Sequence, residues 1–163
     1  MTQTNQTATV IPLLVGTCAV ISTILIHSMA LSAGVNFFRR ERRLGHAGTI
    51  FWKDVAIVSL TVAIALIAHL IEIALWAMLF LFCGEFTQFG VAYYHSAVNY
   101  TTLGYGDMVM SASWKLLGPM EAADGMLMFG ISTALVFALI QRLIQTRFED
   151  LRNQAFTPEE TSP

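Results

Sequence analysis

Charged side chains avoid three long stretches of this chain, and those stretches predict its architecture. No Asp, Glu, Lys or Arg occurs between Met1 and Phe38, and an apolar run fills 10–38. A second run, 55–83, is interrupted by His69 and Glu72. A third covers 119–142, but it is strictly uncharged only from Gly125 to Gln141. About 20 mostly apolar residues are needed to cross the hydrocarbon core of a bilayer, so the third helix has to begin earlier. Pro119 suits a first helical position, and Glu121 and Asp124 then fall in the opening turns, where the helix dipole favours acids. Between the second and third runs lies a mixed segment, 85–118, too polar to cross by itself.

Composition agrees with spans rather than a soluble core. Of the 163 residues, 55% are hydrophobic and only 12% charged, about half the charge of an ordinary soluble domain. The net charge of -2 offers no basic field for nucleic acid. Cys18 and Cys83 both sit in apolar runs, without a zinc spacing or a disulfide framework. No nucleophile–base set is visible, so catalysis is not expected, and no cofactor is called for. The first run lacks a basic leading region and is too long for a signal peptide, so it reads as a retained helix.

Basic residues orient the spans. Arg39, Arg40, Arg42, Arg43 and Lys53 follow the first run, and Arg142, Arg147 and Arg152 follow the third; only Lys115 lies in the segment between the second and third. Positive charge marks the cytoplasmic side. The expectation is a multi-pass protein of the plasma or inner membrane, with the N-terminus outside and the C-terminus cytoplasmic. Residues 1–9 form an outer tail, 10–38 a peripheral span, 39–54 a basic cytoplasmic loop, 55–142 the functional module and 143–163 a cytoplasmic tail.

The module's chemistry sits in Thr101-Thr102-Leu103-Gly104-Tyr105-Gly106-Asp107. A dehydrated alkali cation needs stacked rings of oxygens in place of water. One strand supplies one oxygen per ring, so identical strands must converge on an axis. Carbonyls that all point inward require an alternating, partly left-handed backbone, which glycine tolerates. Thr102 can add a hydroxyl at the inner end, and Asp107 at the mouth attracts cations.

The stretch 102–107 resembles the TVGYGD signature of tetrameric potassium channels, with Leu103 where valine or isoleucine is usual. The resemblance covers 55–142 and is nearest to the small prokaryotic two-helix pore modules, with the first helix outside it. It implies an all-α membrane fold: outer helix 55–83, re-entrant pore helix 86–100, filter 102–107 and inner helix 119–142, assembled as a homotetramer in the lipid bilayer. It further implies passive conduction of K+, with the ion held at the carbonyls of Thr102, Leu103, Gly104 and Tyr105, and with Gly106 completing the filter. A helix C-terminus aimed at the filter favours a cation there. Tyr94 and His95 stand where many members place two tryptophans that brace the filter tyrosine. Val98 stands where some carry a glutamate that partners the mouth aspartate, which leaves Asp107 without that partner. A weakly selective monovalent cation channel and a non-conducting accessory subunit are the other readings.

Further polar residues lie inside the spans. His69 and Glu72, three apart, share one face, and His27 sits in the first span within reach of the same region. A static hydrogen bond that fixes packing and a proton-sensitive latch are both open. In the third span Gly130, Ala134 and Ala138 recur every fourth residue, a pattern that permits close helix packing. The resemblance adds a hinge glycine to the inner helix, with Gly130 and Gly125 as candidates. Glu121 and Asp124 are placed near the outer vestibule, either concentrating cations or simply starting the helix.

Overall fold

The structure, a computed structural model, describes residues 2–44 and 51–156, and its regular elements are all helices. They are α1 (Thr2–Arg43), α2 (Phe51–Phe82), α3 (Phe89–Tyr100) and α4 (Leu117–Phe156). Stretches of α1, α2 and α4 are long and apolar enough to cross a membrane. At about 1.5 Å per residue, each exceeds the roughly 30 Å of a bilayer core, so their ends project beyond it. The short α3 is the only helix in the segment between the second and third spans.

Two apolar clusters give the helices their directions. Toward one end Ile73, Trp76 and Phe80 of α2 pack with Tyr100 of α3, Leu117 and Met128 of α4, and Ala19 of α1. At the other, Ile57 near the start of α2 packs with Leu139 and Leu143 of α4, and with Phe37 and Phe38 of α1. Thus α1 and α4 run the same way and α2 runs against them. Arg39, Arg40, Arg42 and Arg43 therefore share an end of the bundle with Arg142, as the distribution of basic residues predicts. Much of the remaining apolar surface, Leu66, Ile67, Leu70 and Ile71 among it, faces outward, the expected exterior of a protein whose solvent is lipid.

Several boundaries differ from the sequence reading. α1 begins at Thr2, so the helix extends through 2–9, the stretch expected as an outer tail. α2 starts four residues early and stops at Phe82 because Gly84, at φ 74°, turns the chain back. The Glu85 and Gly84 amides bond the Phe80 and Leu81 carbonyls there, a Schellman stop. α3 consequently begins at Phe89, not 86. α4 begins at Leu117, two residues before Pro119, and runs to Phe156, because 142–156 is rich in Arg, Leu and Gln, all good helix formers. Of the basic loop and the C-terminal tail, 45–50 and 157–163 lie outside the described residues.

Candidate functional site

α3 hands the chain to the 102–107 strand through a second Schellman turn. Leu103 N–H bonds Val98 O at 3.0 Å, and Thr102 N–H bonds Asn99 O at 2.8 Å. The left-handed position of such a turn is usually glycine; here it is Thr102, at φ 59°. A side chain in this region costs roughly 1–2 kcal/mol, and strain of this kind concentrates where a side chain is needed for function. Gly104 at φ 59° and Gly106 at φ 72° follow, so every second residue from 102 to 106 is left-handed. All of 101–107 is exposed in the single chain.

The strand is held at its outer end as well. Tyr94 Oη donates to Asp107 Oδ2 at 2.9 Å, so Asp107 does have a partner on α3, although Val98 cannot serve. Just beyond, Glu85 clamps the loop: Ser111 N–H and Oγ–H donate to its two carboxylate oxygens at 2.7 and 2.5 Å. Neither contact was legible in the sequence, since 13 and 26 residues separate the partners. The hydrogen bond to Asp107, and then that carboxylate's charge together with partial burial, raises the Tyr94 pKa. In Asp107→Asn, one tyrosine per chain should therefore ionise at lower pH than in the parent, as followed by absorbance at 295 nm.

His95 is placed differently from the reading that made it a filter brace. It is buried between Phe80 and Phe86, ring centroids 5.5 and 4.9 Å away, and Asn99 Nδ2 lies 2.9 Å from its Nε2. It thus locks α3 to the top of α2. Burial lowers its pKa, against the opposing pull of Asp107 and Glu85. Between that lowered native value and the ordinary value of about 6.5, the unfolded chain binds more protons than the folded one, so stability falls as pH falls. Thermal unfolding of the reconstituted protein should show a midpoint that drops from pH 7 to pH 5, with a shallower drop in His95→Gln.

Glu121 and Asp124 turn into the helix packing of their own chain. Both are buried, and they pin α4 to its neighbours. Trp76 Nε1–H donates to Asp124 Oδ2 at 3.0 Å, and Thr23 Oγ1 lies 2.8 Å from the same oxygen. That hydroxyl is also 2.8 Å from Val20 O. Its one proton serves one of them, and a protonated Asp124 satisfies both contacts. Glu121 repeats the pattern: Ser96 Oγ bonds Glu121 Oε1 and also lies 2.8 Å from Ile73 O. Trp76 is fully buried and Trp52 is 75% exposed. Gly125 is where α4 meets α3; a Cβ there would sit 2.0 Å from Tyr100 O. Gly130 meets nothing within 4 Å, and it, Ala134 and Ala138 are exposed. The small-residue stripe therefore lies on an exposed face of α4 among the described residues.

Deeper still, His27, His69 and Glu72 come together. His27 Nδ1 is 2.9 Å from Glu72 Oε1, and His69 Nδ1 is 3.5 Å from Oε2. Their ligand-type atoms lie within 4.8 Å of one another, yet each already has a hydrogen-bond partner, among them Tyr100 and Ser132. The cluster is a hydrogen-bonded network. Tyr100 and Ser132 carried no sequence signal, being unremarkable residues of an aromatic and a small-residue stretch.

Residues 64–142 match the family Ion_trans_2, described as an ion channel. That match covers nearly half of the chain, from the middle of α2 through the strand into α4, and it supports an ion-channel pore, a transport role rather than a catalytic one. No curated protein and no solved structure matches the chain.

Proposed function

We propose that the chain is one quarter of a potassium-selective channel, in which four copies bring their 102–106 strands to a common axis and conduct K+ passively. The observation that carries this reading is the alternation of left-handed residues at Thr102, Gly104 and Gly106 in a strand that is exposed along its whole length. Successive carbonyls in such a backbone turn toward one side, which is the arrangement that replaces a cation's hydration shell. A lone strand cannot encircle an ion, so assembly is required by the chemistry.

The surface of α4 supports self-association. Phe137, Ile144, Phe148 and Leu151 are all exposed, and their spacing of seven, four and three is that of a coiled-coil seam. In this reading the basic end of the bundle is cytoplasmic, the strand opens outward, and α1 lies at the periphery. Reversal potentials of the reconstituted protein under opposed potassium and sodium gradients test the proposal. A shift toward the potassium equilibrium potential supports it. A potential near zero points to an unselective pore, and the absence of current from stable tetramers to an accessory subunit.

A further inference from the structure

The buried polar residues close into a ring to which every helix contributes. Glu72 of α2 meets His27 of α1 through Oε1, and His27 Nε2 lies 2.9 Å from Ser132 Oγ of α4. Ser132 Oγ lies 3.2 Å from His69 Nε2 of α2. His69 Nδ1 lies 3.1 Å from the Tyr100 hydroxyl of α3, which returns to Glu72 Oε2. Five residues make five contacts, and each contact needs one bridging hydrogen.

A proton count shows what fills the ring. Two neutral imidazoles, two hydroxyls and a carboxylate supply four such hydrogens. One contact would then set two acceptors against each other, and the ring would carry a net negative charge within the membrane, where an unpaired charge is costly. One further proton completes all five contacts and makes the ring neutral. Placed on a histidine, that proton leaves both Glu72 oxygens free to accept, one from Tyr100 and one from His27. With Tyr100 and His27 donating to Glu72, His69 donates to Tyr100, and Ser132 accepts from one Nε2–H while donating to the other histidine. Ser132 can relay the charge: its Oγ takes the Nε2 proton of the cationic histidine as its own hydroxyl proton passes to Nε2 of the other, which leaves the hydroxyl reversed.

We propose that this ring is a proton-binding site, holding one proton shared by His27 and His69 and balanced by Glu72. The other ionisable groups facing this interior are Tyr100 within the ring and, on α4, Asp124 and Glu121, whose contacts with Trp76, Thr23 and Ser96 were described above. His69 and Ser132 line an apolar cleft of about 490 Å³ between α2 and α4, so one side of the ring borders a cleft rather than packed side chains. Loss of the proton breaks a contact in a ring that includes Tyr100, two residues before Thr102, so the site couples external or cytoplasmic pH to the strand.

Glu72→Gln is the discriminating variant. The glutamine amide donates to Tyr100, Tyr100 to His69, His69 to Ser132 and Ser132 to His27, while His27 donates to the glutamine carbonyl. All five contacts survive with two neutral histidines. Nitrogen-15 spectra of histidine-labelled protein in lipid nanodiscs at pH 7.5, assigned with His27→Asn and His69→Asn, read this directly. Parent protein should show a cationic imidazole at His27 or His69 that is absent in Glu72→Gln. Two neutral ring histidines in the parent would overturn the proposal, as would stoichiometric bound zinc in purified protein that disappears in His27→Asn. This arm does not depend on conduction. A second arm rests on the channel reading: current should decline as pH rises in the parent and stay flat in Glu72→Gln. Equal pH profiles in conducting protein would overturn the coupling to the strand.

Discussion

Replacing Gly104 with alanine should cut potassium flux into proteoliposomes by at least about 100-fold while the protein still assembles. The site has room, since the nearest atom to an added Cβ is Thr102 O at 3.9 Å. The penalty comes from the backbone, because a left-handed alanine costs roughly 1–2 kcal/mol. In the proposed tetramer, four strands holding the conformation together multiply this to about 4–8 kcal/mol per pore, more than the roughly 2.7 kcal/mol that a 100-fold change represents. The strand escapes by rotating the peptide, which withdraws that strand's oxygen from one ring. Size-exclusion chromatography and potassium-driven flux on the same sample separate assembly from conduction. Flux within twofold of the parent would refute the alternating strand as the conduction path.

Gly125→Ala should fail differently, in stability. Its Cβ would come within 2.0 Å of the Tyr100 carbonyl oxygen, and backbone yields less readily than a flexible side chain. Overpacking typically costs about 1–3 kcal/mol and occasionally more; here it separates α4 from the helix that carries the strand. A fall in thermal midpoint and in recoverable oligomer is the expected result. Gly130→Ala is the matched comparison: its surroundings within the chain are open, and alanine gains up to about 1 kcal/mol of helix propensity. If both variants unfold alike, the contact between Gly125 and Tyr100 is not what holds α3 to α4.

The spans and the strand motif were legible because they are local: apolar run length and an unusual hexapeptide carry them. The direction of each helix followed from where the arginines lie. What escaped was tertiary. Val98 deprives Asp107 of the glutamate partner that the resemblance suggests, and Tyr94, one turn earlier on α3, reaches it instead. Glu121 and Asp124 were read from their distance to the helix start, which says nothing about the face they occupy; that face is set by Trp76, Thr23 and Ser96 on three other helices. His27, His69 and Glu72 were singled out together, but Tyr100 and Ser132, which make them a closed ring, look ordinary in sequence. Polarity after Gln141 marks the end of the apolar span but not of α4, which runs on to Phe156.

The ring also has a consequence for biogenesis. Ser132 emerges from the ribosome 105 residues after His27, so the first two spans enter lipid with their imidazoles and carboxylate incompletely matched. Apolar packing alone gives inserted helices little reason to choose one partner over another, but a missing hydroxyl is a specific defect that only the last helix repairs. A chain that stalls before α4 therefore lacks the one hydroxyl that closes the ring, and its first two spans keep a polar defect that only completion of the subunit removes.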